Sequence, residues 1–176
     1  MKMLLDVAVE HDLYLVADEV YREFTYDGEP LHSFGKFDYG QENLILIDSV
    51  SKRFSACGAR IGCLISRNKD FMANALKYCQ ARLSVATLDQ LGAAALYGVD
   101  PSYFDATRNE YRRRRDTCYR KLLEIPGIVT TEPQGAFYIM LNITGVMGKT
   151  YNGRVIDSSQ TFAELLLADK HVAVVP

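Results

Sequence analysis

The sequence contains no C-x-x-C pair, and its three histidines, His11, His32 and His171, lie far apart, so ligand spacing of the zinc type is absent. It also lacks both a G-x-G-x-x-G run and a G-x-x-x-x-G-K-[ST] run, which weighs against a generic nucleotide-binding α/β domain. No apolar stretch approaches membrane-spanning length, and Met1-Lys-Met-Leu-Leu-Asp6 has no long apolar leader core. Charge of one sign is not in excess. A formal net charge of -2 and a pI near 5.9 argue against a nucleic-acid or polyanion binder. Internal repeats and low-complexity segments are missing as well. These absences leave a soluble globular protein, with the cytoplasm as its expected location.

A chain of 176 residues suffices for one ordinary domain, or one domain and part of another. Apolar residues make up 48% of it, enough for a real core. Cys57, Cys63, Cys79 and Cys118 sit in a chain too large to need stapling, so reduced thiols in a reducing compartment are expected.

The pattern predicts an α/β sheet followed by a smaller α+β region. A helix covers residues 4–10, with Leu4, Leu5 and Ala8 at helical spacing. Continuous apolar runs at 13–17 and 44–47 read as buried parallel strands, and 61–66 as a third buried strand. Asp27-Gly28, within Tyr26-Asp-Gly-Glu29, signals a turn. Helices follow at 69–83 and 88–97, expected to pack on the sheet, and a longer one at 101–123. On that long helix Phe104, Tyr111, Cys118 and Leu122, continued by Ile125, form one apolar stripe, and Arg112-Arg-Arg-Arg115 fans out as a solvated or carboxylate-paired surface. Strands at 128–131, 136–143 and 172–175 flank a helix at 158–169. A boundary in or just after the long helix gives residues 1–110 and 111–176 as the expected parts.

Two short stretches concentrate the chemistry: Asp18-Glu-Val-Tyr21, and Ser49-Val-Ser-Lys52 running on to Arg60. Both follow apolar strands, and ligands of doubly wound sheets bind outside the carboxyl ends of strands. A lysine near a buried strand end is partly desolvated, which favours a nucleophilic amine able to condense with an aldehyde. A carboxylate at Asp18 suits a protonated ring nitrogen, and the Tyr21 hydroxyl suits a ring oxygen. The planar fork of Arg60 matches a phosphate, with Ser49 and Ser51 as further donors. Together these groups fit pyridoxal 5′-phosphate. Each also has a plainer reading alone: Asp18 as a cap or turn residue, Tyr21 as packing, Ser49 and Ser51 as caps, Lys52 as a solvated charge, Arg60 as a surface ion pair. Those readings leave the shared strand-end placement unexplained.

With Pro133-x-Gly-Ala-Phe-Tyr138, these stretches resemble the class I/II aminotransferases, pyridoxal-phosphate enzymes of fold type I close to the aspartate aminotransferase group. The resemblance runs over nearly the whole chain, from about residue 4 to residue 176. It implies a partial fold type I architecture, part of a mostly parallel sheet with helices followed by part of a small α+β domain. Residues 1–110 would be the C-terminal part of the large cofactor-binding domain, and 111–176 the connecting helix and part of the small domain. It implies a Schiff base at Lys52, with Lys52 then shuttling a proton, Asp18 pairing with the pyridinium and Tyr21 with the ring oxygen. Ser49, Ser51 and Arg60 would hold the phosphate. Amino acid and 2-oxo acid substrates are implied, and a homodimer, with Arg82 and Thr87 near the neighbouring subunit. A carbon–sulfur lyase or another fold type I enzyme shares the Lys52 chemistry. Measured against the family, the chain is expected to be a fragment lacking both ends, including the arginine for the substrate α-carboxylate. A silent folding or dimerisation module, associating through open sheet edges, is the reading from a different class.

Overall fold

Leu44-Ile-Leu-Ile47 has no polar interruption, and it forms the first four residues of the central strand of a three-stranded sheet. The computed structural model describes residues 1–28 and 31–176, so Glu29 of the expected turn lies outside the described residues. Asp27 and Gly28 take φ values of 59° and 78°, the left-handed pair an Asp-Gly turn requires. Helix α1 (Lys2–Glu10) buries Leu5 and Ala8, and β1 (Leu15–Asp18) follows. β1 runs parallel to β2 (Leu44–Ser49), with Leu15 opposite Leu44 and Asp18 opposite Ile47. β3 (Gly62–Ile65) is antiparallel to β2, with Ser49 opposite Gly62.

The chain forms two compact units. The first comprises Met1–Tyr111 together with Gln134–Ala136, and the second Arg112–Pro133 and Phe137–Pro176. In the first, a one-turn helix α2 (Val50–Arg53) leaves β2 and buries Val50. Phe54 continues from it into a cluster with Ala93 of α4 (Thr87–Leu96), lined by Tyr103 and Phe104. Phe54 meets the Tyr97 and Phe104 rings at centroid distances of 5.2 and 5.6 Å, a separation at which aromatic pairs attract. A second contact group holds Phe24 against Tyr111, with ring centroids 5.0 Å apart. Residues 134–136 close this unit: Gly135 bridges Thr25, Ala136 N donates to Phe24 O at 2.8 Å, and Tyr26 Oη donates to Ala136 O at 2.5 Å. A Cβ on Gly135 would stand 2.9 Å from Phe24 O, so only glycine permits the approach.

The long helix α5 (Ser102–Leu123) ends the first unit and begins the second. The second unit adds two short antiparallel pairs, β4 (Val129–Thr130) with β5 (Leu141–Asn142) and β6 (Thr150–Tyr151) with β7 (Arg154–Val155), and then α6 (Ser159–Lys170). Gly127, at φ 85°, and Gly145 pass so closely that a Cβ on Gly145 would lie 2.6 Å from Gly127 O. Arg115 is buried, its Nε 2.6 Å from Asp116 Oδ1 and its Nη1 donating to Pro133 O at 2.8 Å.

Several sequence expectations change. The run 13–17 is parallel but not buried: only Ala17 is covered, and Tyr14 stays exposed although its ring lies 5.7 Å from that of Phe71, while β3, also expected to be buried, is exposed at all four residues. α3 (Lys69–Ala81) buries no residue, and α4 buries only Ala93, against α2 rather than against a strand. On α5 the stripe is partial, with Cys118 and Ile125 exposed, while Arg115 sits inside, carboxylate-paired but not at the surface. The strand expected at 136–143 contracts to Leu141–Asn142, since Ala136 belongs to the pairing with Phe24. Residues 172–175 form no strand. No described helix is long and apolar enough to cross a membrane, and all four cysteines carry free thiols.

Candidate active site

β1 and β2 end side by side, so Asp18 and Ser49 stand at the carboxyl edge of the parallel pair. Ser49 is extended, at φ -157° and ψ 149°, and its Oγ accepts from Ser51 N at 3.0 Å, capping α2. The same oxygen lies 2.8 Å from Ser51 Oγ and 2.8 Å from Ile61 O. A single turn at Cys57–Ala59 then delivers Arg60 in a left-handed conformation, with Nη1 donating to Cys57 O at 2.9 Å. Ser49, Ser51 and Arg60 together line a depression of about 290 Å³ with Gly62 and Cys63. A Cβ on Gly62 would meet Asp48 O at 3.1 Å, so glycine keeps β2 and β3 close beneath it. Partial desolvation and, secondarily, the Asp48 carboxylate push the Cys63 thiol up.

Asp18 and Tyr21 belong to a second depression of about 410 Å³, shared with Arg22, His32 and Phe34. Asp18 Oδ1 accepts from Val20 N at 3.2 Å, a local turn bond of the kind aspartate favours. Lys52 is half-buried and lines neither depression; its Nζ lies 5.9 Å from the Tyr21 ring centroid. The expected residues thus assemble as two groups, Ser49–Ser51–Arg60 and Asp18–Tyr21, with Lys52 set against the second through the Tyr21 ring. The plainer local roles of Asp18 and Ser49 are also present, a turn bond and a cap.

Beneath this surface lies a set of charges that sequence reading missed. Asp48 Oδ2 accepts from Arg53 Nη2 at 2.8 Å and faces Arg22 Nη2 at 3.4 Å. Arg22 Nη1 stands 3.1 Å from Glu19 Oε2, and Arg53 Nε 3.3 Å from Glu23 Oε1. Glu19 Oε1 accepts from Phe34 N at 2.8 Å. The sequence offered one signal, a carboxylate near the end of an otherwise apolar strand.

A family model described as aminotransferase class I and II matches residues 1–176. The chain belongs to the class I and II aminotransferases. Its relatives include the aspartate aminotransferase of Bacillus subtilis, 30% identical over 177 residues, an alignment covering 100% of this chain and 44% of that protein. The aromatic-amino-acid aminotransferase 2 of Thermococcus litoralis is 33% identical over 182 residues, covering 100% of this chain and 43% of its own length. Among solved structures, an aspartate aminotransferase from Rhizobium meliloti superposes with a TM-score of 0.88 at 29% identity, over 98% of this chain and 44% of that one. The chain therefore spans less than half the length of these aminotransferases. Its fold is part of the fold type I architecture, a partial sheet with helices and a small α+β region.

Proposed function

We propose that this chain carries part of the active site of a pyridoxal-phosphate-dependent aminotransferase, moving an amino group between an amino acid and a 2-oxo acid. The observation that carries the reading is the donor set around the first depression. Two hydroxyls and a guanidinium converge at the carboxyl edge of the sheet, the chemistry a phosphate monoester needs. Arg60 uses one N–H on Cys57 O and keeps its planar fork at the exposed rim. The fit is good at this end. Pyridoxal phosphate supplies an electron sink for charge developing on the substrate α-carbon.

The chain's own residues then have distinct tasks. Ser49, Ser51 and Arg60 hold the phosphate. Asp18, a carboxylate at the end of β1, pairs with a protonated ring nitrogen, and the Tyr21 hydroxyl donates to a ring oxygen. Lys52 would hold the cofactor's aldehyde end through its amine and, once released by an incoming amino acid, its Nζ would be the base that moves a proton at the substrate α-carbon. Residues 1–110 serve as part of the cofactor-binding domain and 111–176 as the connecting helix and part of a small domain. Free thiols at all four cysteines support a cytoplasmic setting, and the exposed sheet edges support a dimer.

The test is direct. Pyridoxal phosphate added to the protein should produce a near-ultraviolet or visible band that borohydride fixes onto Lys52, located by peptide mass spectrometry. Lys52→Ala should abolish the band. A chain that gives no Lys52 adduct is a silent folding or dimerisation module. Bleaching of the band by an amino acid and its return with a 2-oxo acid separates transamination from carbon–sulfur lysis.

A further inference from the structure

The tasks above leave the buried charges unused. Asp48 is the penultimate residue of β2, Arg22 directly follows Tyr21, and Arg53 directly follows Lys52. Asp48 and Arg53 are only 8% and 7% exposed. Through Oδ2, at 2.8 Å from Arg53 Nη2 and 3.4 Å from Arg22 Nη2, and through Oδ1, which accepts from Ser49 N at 2.8 Å, one carboxylate joins three segments. These are the strand end bearing Ser49, the turn bearing Tyr21 and the helix bearing Lys52.

Stability alone is a weak account of such an arrangement. A buried ion pair seldom stabilises a fold more than well-packed apolar residues of the same size. α2, by contrast, is a single turn of four residues, too short to hold its own geometry, and needs an anchor from outside. Arg53, reaching both Asp48 and Glu23, provides one.

We propose that Asp48 is a positioning residue: clamped between Arg22 and Arg53, its carboxylate fixes the Lys52 turn against the Tyr21 turn and so sets where the Lys52 amine stands. The proposal rests on the reading of Lys52 as the reactive amine. It does not require the cofactor to be bound.

Competitive acetylation tests it in the full chain, with Lys69 and Lys77, both exposed on α3, as internal references read in the same digest. In Asp48→Asn the acetylation of Lys52 relative to Lys69 should change by about threefold or more, as expected when residues of one network are uncoupled. Arg53→Lys, which keeps the charge but is too short to span both carboxylates, should give a smaller change in the same direction. Borohydride trapping of pyridoxal phosphate at Lys52 should fall in Asp48→Asn. An unchanged Lys52 ratio in cooperatively melting Asp48→Asn overturns the proposal. So does a change shared by Lys69 and Lys77, which would mean general loosening. If Asp48→Asn does not fold, Arg53→Lys decides: a change confined to Lys52 upholds the proposal, and none overturns it. Failure of the unmodified chain to trap pyridoxal phosphate sinks the cofactor reading and leaves the acetylation result standing.

Discussion

Arg60 holds φ 56° and ψ 39°, a left-handed conformation that costs a residue with a Cβ about 1 kcal/mol relative to its ordinary backbone. Glycine would occupy that position with less backbone strain. Arg60→Gly is therefore expected to leave the urea-unfolding free energy within about 1 kcal/mol of the unmodified chain, or above it. The same substitution should weaken pyridoxal phosphate binding, measured by absorbance titration. Loss of stability without loss of binding would mean that Arg60 serves the fold. That Ser49, Ser51 and Arg60 gather at one depression was legible in the sequence, because their spacing is local to one strand end and one turn; Lys52 lines neither depression. Asp48 and Arg53 were not legible, because the partner that gives Asp48 its meaning, Arg22, lies 26 positions away.

Elements were legible where a single signal dominates. The apolar run at 44–47 became β2, and Ser158 followed by helix-forming residues became the cap of α6, accepting from Thr161 N at 3.1 Å. Pairing was not legible where two partners compete for one segment. The run 136–143 has strand composition, yet Gly135 and Ala136 pair with Thr25 and Phe24, which leaves only Leu141–Asn142 for β4. The start of α6 also carries a pH dependence. Hydrogen bonds from Thr161 and then Ser158 hold the Asp157 carboxyl below the usual aspartate range. A depressed folded value means that this stabilisation is present above the ordinary aspartate pKa and is lost as pH falls through the folded one. Exchange of the Thr161 amide should accelerate on acidification through that range, and Asp157→Asn should remove the acid-dependent step. An identical acid step in that variant would assign it to another carboxylate.

For the molecule as a whole, the three-stranded sheet ends on both sides in strands with no described neighbour, β1 and β3. All four residues of β3 are exposed, including Leu64 and Ile65, and Val16 of β1 is 56% exposed. Edges of this kind recruit further strands unless charge blocks them. Sedimentation equilibrium should show concentration-dependent association, and Ile65→Lys should shift it toward monomer. A monomer at all concentrations with a cooperative melt would contradict the expectation.

The closure of the first unit by Gln134–Ala136 bears on how the chain is made. A ribosome releases residues in order, so the segment Met1–Tyr111 emerges well before the three residues that complete it. During that interval Phe24 O and the Tyr26 hydroxyl have no native partner in Ala136, and the turn bearing Tyr21 lacks its downstream brace. The strand ends bearing Asp18 and Ser49 thus precede in synthesis the Gly135-Ala136 step that closes their unit. A nascent chain arrested before residue 136 would hold every residue proposed to contact the cofactor, yet not the backbone bond from Ala136 N to Phe24 O.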